Sequence, residues 1–309
     1  VLALAGVALQ AREMRAFGQM LKGVQLRALP DEGGWRARLD SDLAAGEFDW
    51  RHAGDGTLNA HFRHLALAGE GEEHAKAAAA ADETPPRSLP GLDVVADRFS
   101  LRGKDLGRLE VVARNRGGLW QLERLSVANA DGKLTGSGRW QAAGRQLTDL
   151  DFTLETADVG RFSRRLGYPD AVRGGQAILA GKLSWRGAPT RIDFPSLSGK
   201  MTLEAGSGQF NKLEPGVGRL LGILSLQSLP RRITLDFRDV FSSGFAFDRI
   251  SGSIDVARGV LHTDDLEIRG PAARIHMRGA ADIDAETQDI KVSVQPTLSE
   301  SVAVGAAAG

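Results

Sequence analysis

Apolar residues recur two apart through most of this 309-residue chain. The pairs include Leu92 and Val94, Leu109 and Val111, Leu125 and Val127, Phe152 and Leu154, Leu235 and Phe237, Leu266 and Ile268, Ile275 and Met277, and Val292 and Val294. Side chains two apart on a strand share a face. The positions between them are mostly Asp, Glu, Arg, Ser and Thr. The pattern therefore predicts antiparallel strands with one wetted and one apolar face, joined by turns such as "ADGK" (130–133) and "ARGV" (257–260).

The alternation is itself repeated. "GQMLKGV" (18–24), "GKDLGRL" (103–109) and "GFAFDRI" (244–250) share one spacing, and Trp35, Trp120 and Leu261 each stand eleven residues beyond the last apolar position. Gly18 to Gly103 and Trp35 to Trp120 are both separations of 85 residues; Leu125 to Leu266 and Gly138 to Gly279 are both separations of 141. This is an internal repeat of β-hairpins with a longer insertion before the third copy. Residues 69–90, rich in Ala, charge and Pro, read as a linker. The expected organisation is a first β repeat unit at 1–68, that linker, and a continuous β region with helical insertions at 91–309.

Two segments predict helices. Over 158–166, Asp158 is the N-cap, Val159, Phe162 and Leu166 form the apolar stripe, and Gly167 is the stop. Arg161, Arg164 and Arg165 fall on its solvated face. The segment 215–229 opens at Pro215 and closes before Pro230, with Val217, Leu220, Leu221 and Leu224 on one stripe. As a helix it is about 22 Å long, too short for roughly 30 Å of bilayer hydrocarbon. It is expected to pack against the apolar face of the sheet or to cap one end of it.

Composition narrows the function. Lys plus Arg and Asp plus Glu are both 39, so nothing favours nucleic acid as a partner. There is no cysteine, which removes disulfides, Cys-ligated zinc and Cys nucleophiles together. No stretch of 18 apolar residues occurs, and neither end carries a start or finish signal, so the expectation is an internal piece of a longer protein whose membrane anchor lies elsewhere.

No catalytic constellation assembles. "GVGRLLG" (216–222) misses the dinucleotide fingerprint, and no Walker lysine follows. His61 and His64 stand three apart, on opposite faces of a strand, so they make a poor metal pair. Asp264 and Asp265, and Ser137 and Ser207 between glycines, read as turn chemistry. No catalytic residue, metal or cofactor is assigned, and the chain reads as a non-enzyme. A long sheet with one apolar face can close into a sandwich, be covered by helices, or curve into a trough filled by a ligand. Alternation alone leaves the sandwich and the trough open.

The stretch "SLSGKMTLEAGSGQF" (196–210), the segment 216–283 with "DVFSSGFAFDRISGSIDVARGVLHTDDLEIRG", and "LPGLDVVADRFSLRGKDLGRLEVVA" (89–113) resemble the YhdP-type branch of the AsmA-like proteins of Gram-negative envelopes. That resemblance implies a mainly-β protein whose repeated hairpins form a long curved sheet or open groove. It implies a periplasmic location, an inner-membrane anchor, possible contact with the outer membrane, and phospholipid as cargo. The sixteen residues paired above would line the groove, and the helix at 215–229 would cap it. The alternative expectation is a sealed scaffolding module of the envelope with no lipid lane.

Overall fold

The computed structural model describes residues 5–16, 19–67, 88–168, 172–211 and 244–297. They form a mainly-β molecule with one open 16-stranded sheet and one three-stranded sheet. They divide into two compact units: those up to Phe152 with Ser184–Asp193, and Thr153–Leu183 with those from Phe194 on. The helix expected at 215–229, with Val217, Leu220, Leu221 and Leu224, lies outside the described residues, as do Leu235 and Phe237.

In the first unit nine strands stand side by side in chain order: β1 (Val7–Ala16), β2 (Gln19–Asp31), β3 (Gly34–Asp40), β4 (Ala44–Arg51), β5 (Thr57–Leu67), β6 (Gly91–Leu101), β7 (Lys104–Arg116), β8 (Leu119–Ala128) and β9 (Gly132–Gln141). Their hairpins are antiparallel except at one place, where β5 and β6 run parallel from Thr57 opposite Gly91 to Leu67 opposite Leu101. Alternation does not reveal that pairing. Parallel neighbours need a crossover of a dozen or more residues, and the interval between Leu67 and Gly91 has that length.

The strand order continues with β10 (Leu147–Thr156), β12 (Ala177–Arg186), β13 (Ser198–Ala205), β16 (Arg249–Ala257), β17 (Val260–Arg269), β18 (Ala273–Asp282) and β19 (Thr287–Pro296). The small sheet, in the second unit, has three strands of three residues each: β11 (Val172–Gly174), β14 (Gly208–Phe210) and β15 (Phe245–Phe247).

The repeat seen in the letters is a repeat in space. Moved by 141 residues, β8 and β9 fall on β17 and β18 end to end. The β8–β9 register shifts between Leu122 and Leu125, and the β17–β18 register shifts at the matching place, between Thr263 and Leu266. The turns match too. Gly117 and Gly118 before β8 both have positive φ, and so do Arg258 and Gly259 before β17. Two successive positive φ angles mark the tight hairpin turn whose twist suits the flanking strands. A bulge kept at the same position in both copies bends each hairpin alike.

The single described α-helix is α1 (Val159–Arg165). The Asp158 carboxylate accepts from the Arg161 N–H at 2.9 Å, and Gly167 follows the C-cap with φ of +92°. Seven residues cannot hold a helix in water, so packing sustains it. It lies so close on β11 that a Cβ at Gly160 would meet the Val172 carbonyl oxygen at 2.5 Å.

Candidate functional site

Residues directly opposite on paired strands share a face of the sheet, so register converts alternation into surfaces. In the first unit one row reads Val7, Ala28, Ala37, Phe48, Ala60, Val94, Val111, Leu125 and Gly136 across β1 to β9. The row two residues along reads Leu9, Leu26, Leu39, Gly46, Phe62, Ala96, Leu109, Val127 and Leu134. A third carries Trp35, Trp50, Leu58, Leu92, Ala113 and Leu122. No charged side chain interrupts any of the three. Ala96, Leu109 and Val94 are buried by their neighbours, whereas Leu92, Val111, Leu125 and Val127 stay half-buried.

The other face of the same strands is ionic. The row beside the first carries Arg38, Glu47, His61, Val95, Glu110, Ser126 and Thr135. Arg36 pairs with Asp49 at 3.0 Å, Arg63 with Asp40 at 2.8 Å, and Arg108 with Asp97 at 2.6 Å. Exposed pairs of this kind contribute little to stability; their consequence is that this face stays in water. His61 meets Asp97 at 3.0 Å and His64 meets the Ser41 carbonyl at 3.2 Å, so the two histidines serve different partners. On β10, Asp149 accepts from Arg139 at 2.8 Å and from Ser184 at 2.8 Å, which leaves Phe152 and Leu154 on the strand's opposite side, both half-buried. Partial burial pushes the Asp149 carboxyl up, but the Arg139 and Ser184 donors outweigh it and hold the pKa below the usual range.

Five tryptophans gather at one end of the strands. Trp35 and Trp50 are opposite one another, as are Trp120 and Trp140, and Trp185 closes β12. Trp120 donates to the Pro90 carbonyl at 2.8 Å and Trp185 to the Ala188 carbonyl at 3.3 Å. Trp140, with Trp120 and Ala113, forms the packed edge of this unit's apolar face.

In the second unit three of the matching residues, Ile268, Ile275 and Met277, are covered, while Leu266, Val292 and Val294 stay half-buried. Ile268, Ile275 and Val294 form one row, and Leu266, Met277 and Val292 another. Phe245 and Phe247 of β15 sit on them, with Val172 and Phe210 of the same small sheet packed alongside. The expected lining residues Ile268, Ile275 and Met277 are thus buried under another part of the chain. The phenylalanines that cover them were not among the expected site residues. The signal was a departure from the repeat: where the second copy has Lys104 and Leu106, the third has Phe245 and Phe247.

At the β17 bulge Asp265 accepts from the Ser253 backbone N–H at 2.7 Å and the Ser253 hydroxyl at 2.9 Å. The backbone bond above all, with the hydroxyl bond beside it, holds the carboxyl below the usual range against the opposing effect of burial. A depressed native pKa adds stability above the ordinary carboxylate range and loses it as pH falls below about 4. Asp265→Asn is therefore expected to flatten the acid limb of stability as the pH falls below about 4, with little change at pH 7, in denaturant midpoints taken on both sides of that pH.

Among the described residues no group of three or more His, Asp or Glu side chains is placed to hold a metal, and no helix is long and apolar enough to cross a membrane. What the geometry defines is a β-repeat protein with a one-sided apolar sheet. The chain matches the family model described as YhdP protein over residues 1–309, and it belongs to that AsmA-like family. Over 223 residues it is 30% identical to the "Intermembrane phospholipid transporter YhdP" of Escherichia coli (strain K12), a match covering 72% of this chain and 18% of that protein. No solved structure matches.

Proposed function

We propose that the apolar face of the first unit is a lane for phospholipid acyl chains, and that the chain serves as a segment of a periplasmic protein, anchored to the inner membrane, that conducts phospholipids between the inner and outer membranes without enzymatic chemistry. The observation that carries this reading is the set of three uninterrupted apolar rows, two across nine strands and one across six, still half-buried at Leu92, Val111, Leu125 and Val127. Membership of the family and the printed name of the Escherichia coli relative support it.

The energetics favour such a lane. Each acyl methylene left in water costs about 0.8 kcal/mol, so a bare phospholipid crossing an aqueous gap meets a barrier of tens of kcal/mol. Nine strands at about 4.8 Å spacing offer roughly 40 Å of continuous hydrocarbon, longer than a single acyl chain. Hydrophobic contact is non-directional and scales with area, so a chain can slide along the rows at nearly constant free energy. Nothing in the rows supplies direction, which must come from the lipid gradient or from partners.

Binding tests the reading. The full-length protein incubated with phosphatidylethanolamine–phosphatidylglycerol vesicles and then isolated by gel filtration is expected to carry phospholipid, and to lose most of it when Leu125 and Val127 are both changed to Ser. A folded protein that carries none, or that carries as much after both changes, would favour a sealed scaffold.

A further inference from the structure

We propose that the module built from α1, β11, β14 and β15 is a self-occupying plug: Phe245 and Phe247 fill a stretch of apolar sheet that is an acyl-chain site, and acyl chains displace them. The inference rests on the acyl-lane reading and adds a second state to it.

The repeat shows what lies beneath the plug. Leu125, Val127, Leu134 and Gly136 of the first unit correspond, 141 residues on, to Leu266, Ile268, Ile275 and Met277. In the first unit those four positions are half-buried. In the second unit three of the four lie under the phenylalanines, with Ile268 and Ile275 each 4% exposed and Met277 3%, while Leu266 stays half-buried beside them. At those three positions one copy of the repeat leaves half-buried what the other copy covers with its own chain.

The module is held in a way that permits exchange. Its strands pair over three residues each, whereas β17 with β18 and β18 with β19 are laced along their length. It joins the main sheet through Gly174 and Gly175, with φ of +64° and +80°, through Gly206, and through Asp248 between β15 and β16. The three glycines lie at the strand ends where a displaced module has to swing. Its grip on the floor is apolar: Phe245 and Phe247 side chains on Ile268, Ile275 and Met277, with a backbone bond from Asp248 N–H to the Arg269 carbonyl at its margin. Acyl chains offer that floor the same kind of contact, so exchange replaces one apolar cover by another and leaves the floor dry in both states. A strand laced by a full ladder has no such substitute, because lipid tails cannot replace backbone hydrogen bonds.

Thiol labelling distinguishes this inference from the reading it rests on. The chain has no cysteine, so Val172→Cys in the module and Val111→Cys in the first unit are single reporters, introduced separately into full-length protein freed of any other cysteine. Labelling by a water-soluble maleimide is measured with and without phosphatidylethanolamine–phosphatidylglycerol vesicles, with circular dichroism confirming the sheet. Lipid is expected to slow labelling at Val111→Cys, which acyl chains cover, and to speed it at Val172→Cys by about tenfold or more as the module leaves the floor. Slowed labelling at Val111→Cys with no change at Val172→Cys would overturn the plug and leave the lane standing. No change at either position in a folded protein would overturn both.

Discussion

Val111→Asp is expected to cut phospholipid transfer by the full-length protein by about a hundredfold while leaving it folded. Val111 is half-buried, with Val94 and Leu125 opposite it, and it packs on Ala96, Phe99 and Leu109. Without lipid a carboxylate there reaches water, so the loss is that of a partly buried valine, about 1–2 kcal/mol. Under an acyl chain the same carboxylate is desolvated without a partner, which costs several kcal/mol more. A difference of about 2.7 kcal/mol is a hundredfold in the occupancy of the lane at that point. Val111→Leu should retain transfer, because it adds only hydrocarbon. The check is transfer of a fluorescent phospholipid between vesicles, read beside the urea midpoint of each variant. A sealed core would behave in the opposite way: the charge would unfold the unit.

Trp140→Ala is expected to cost about 3–5 kcal/mol of stability, the range for deleting a buried large aromatic side chain. Trp140 is fully buried, at 0% exposure, against Trp120 and Ala113. Its indole N–H has no hydrogen-bond partner among the described residues, so Trp140→Phe removes a stranded donor together with some volume. The phenylalanine variant should lose much less, about 1–2 kcal/mol, because it sheds the desolvation penalty of that N–H. Chemical denaturation of both variants tests this. Equal losses would mean that the N–H is bonded, to water for instance. Trp140 supports the apolar face from outside the three rows, so folded Trp140→Phe protein should transfer lipid normally.

The strands and the repeat were legible in the sequence for a definite reason. A half-buried antiparallel strand must alternate, and a hairpin copied 141 residues on must keep its bulge and turn if it is to stay in the same sheet. Hence Leu125 and Leu266, or Gly138 and Gly279, could be matched before their surroundings were known. Helix α1 was legible through Asp158 and Gly167, whose capping chemistry is local. What could not be read depends on contacts distant in sequence. The parallel β5–β6 pair depends on which edge β6 joins, a choice that the composition of neither strand records. Strands of three residues, such as β11, β14 and β15, are too short for a period to show. Three of the first five strands, β2, β3 and β5, carry one row on Ala28, Ala37 and Ala60, small residues that leave a faint alternation beside Val and Leu. The cover over Ile268 and Met277 therefore emerged only when Phe245 and Phe247 were seen resting on them.

The lane is tested most directly by photocrosslinking in living cells, with the reactive residue placed in the full-length protein at Val111 and at Leu125 and, on the wetted face one residue away, at Glu110. Phospholipid adducts at Val111 and Leu125, with none at Glu110, are the expected result. Adducts at none of the three positions in protein shown to be folded, or adducts equally at all three, would mean that the apolar rows do not carry lipid.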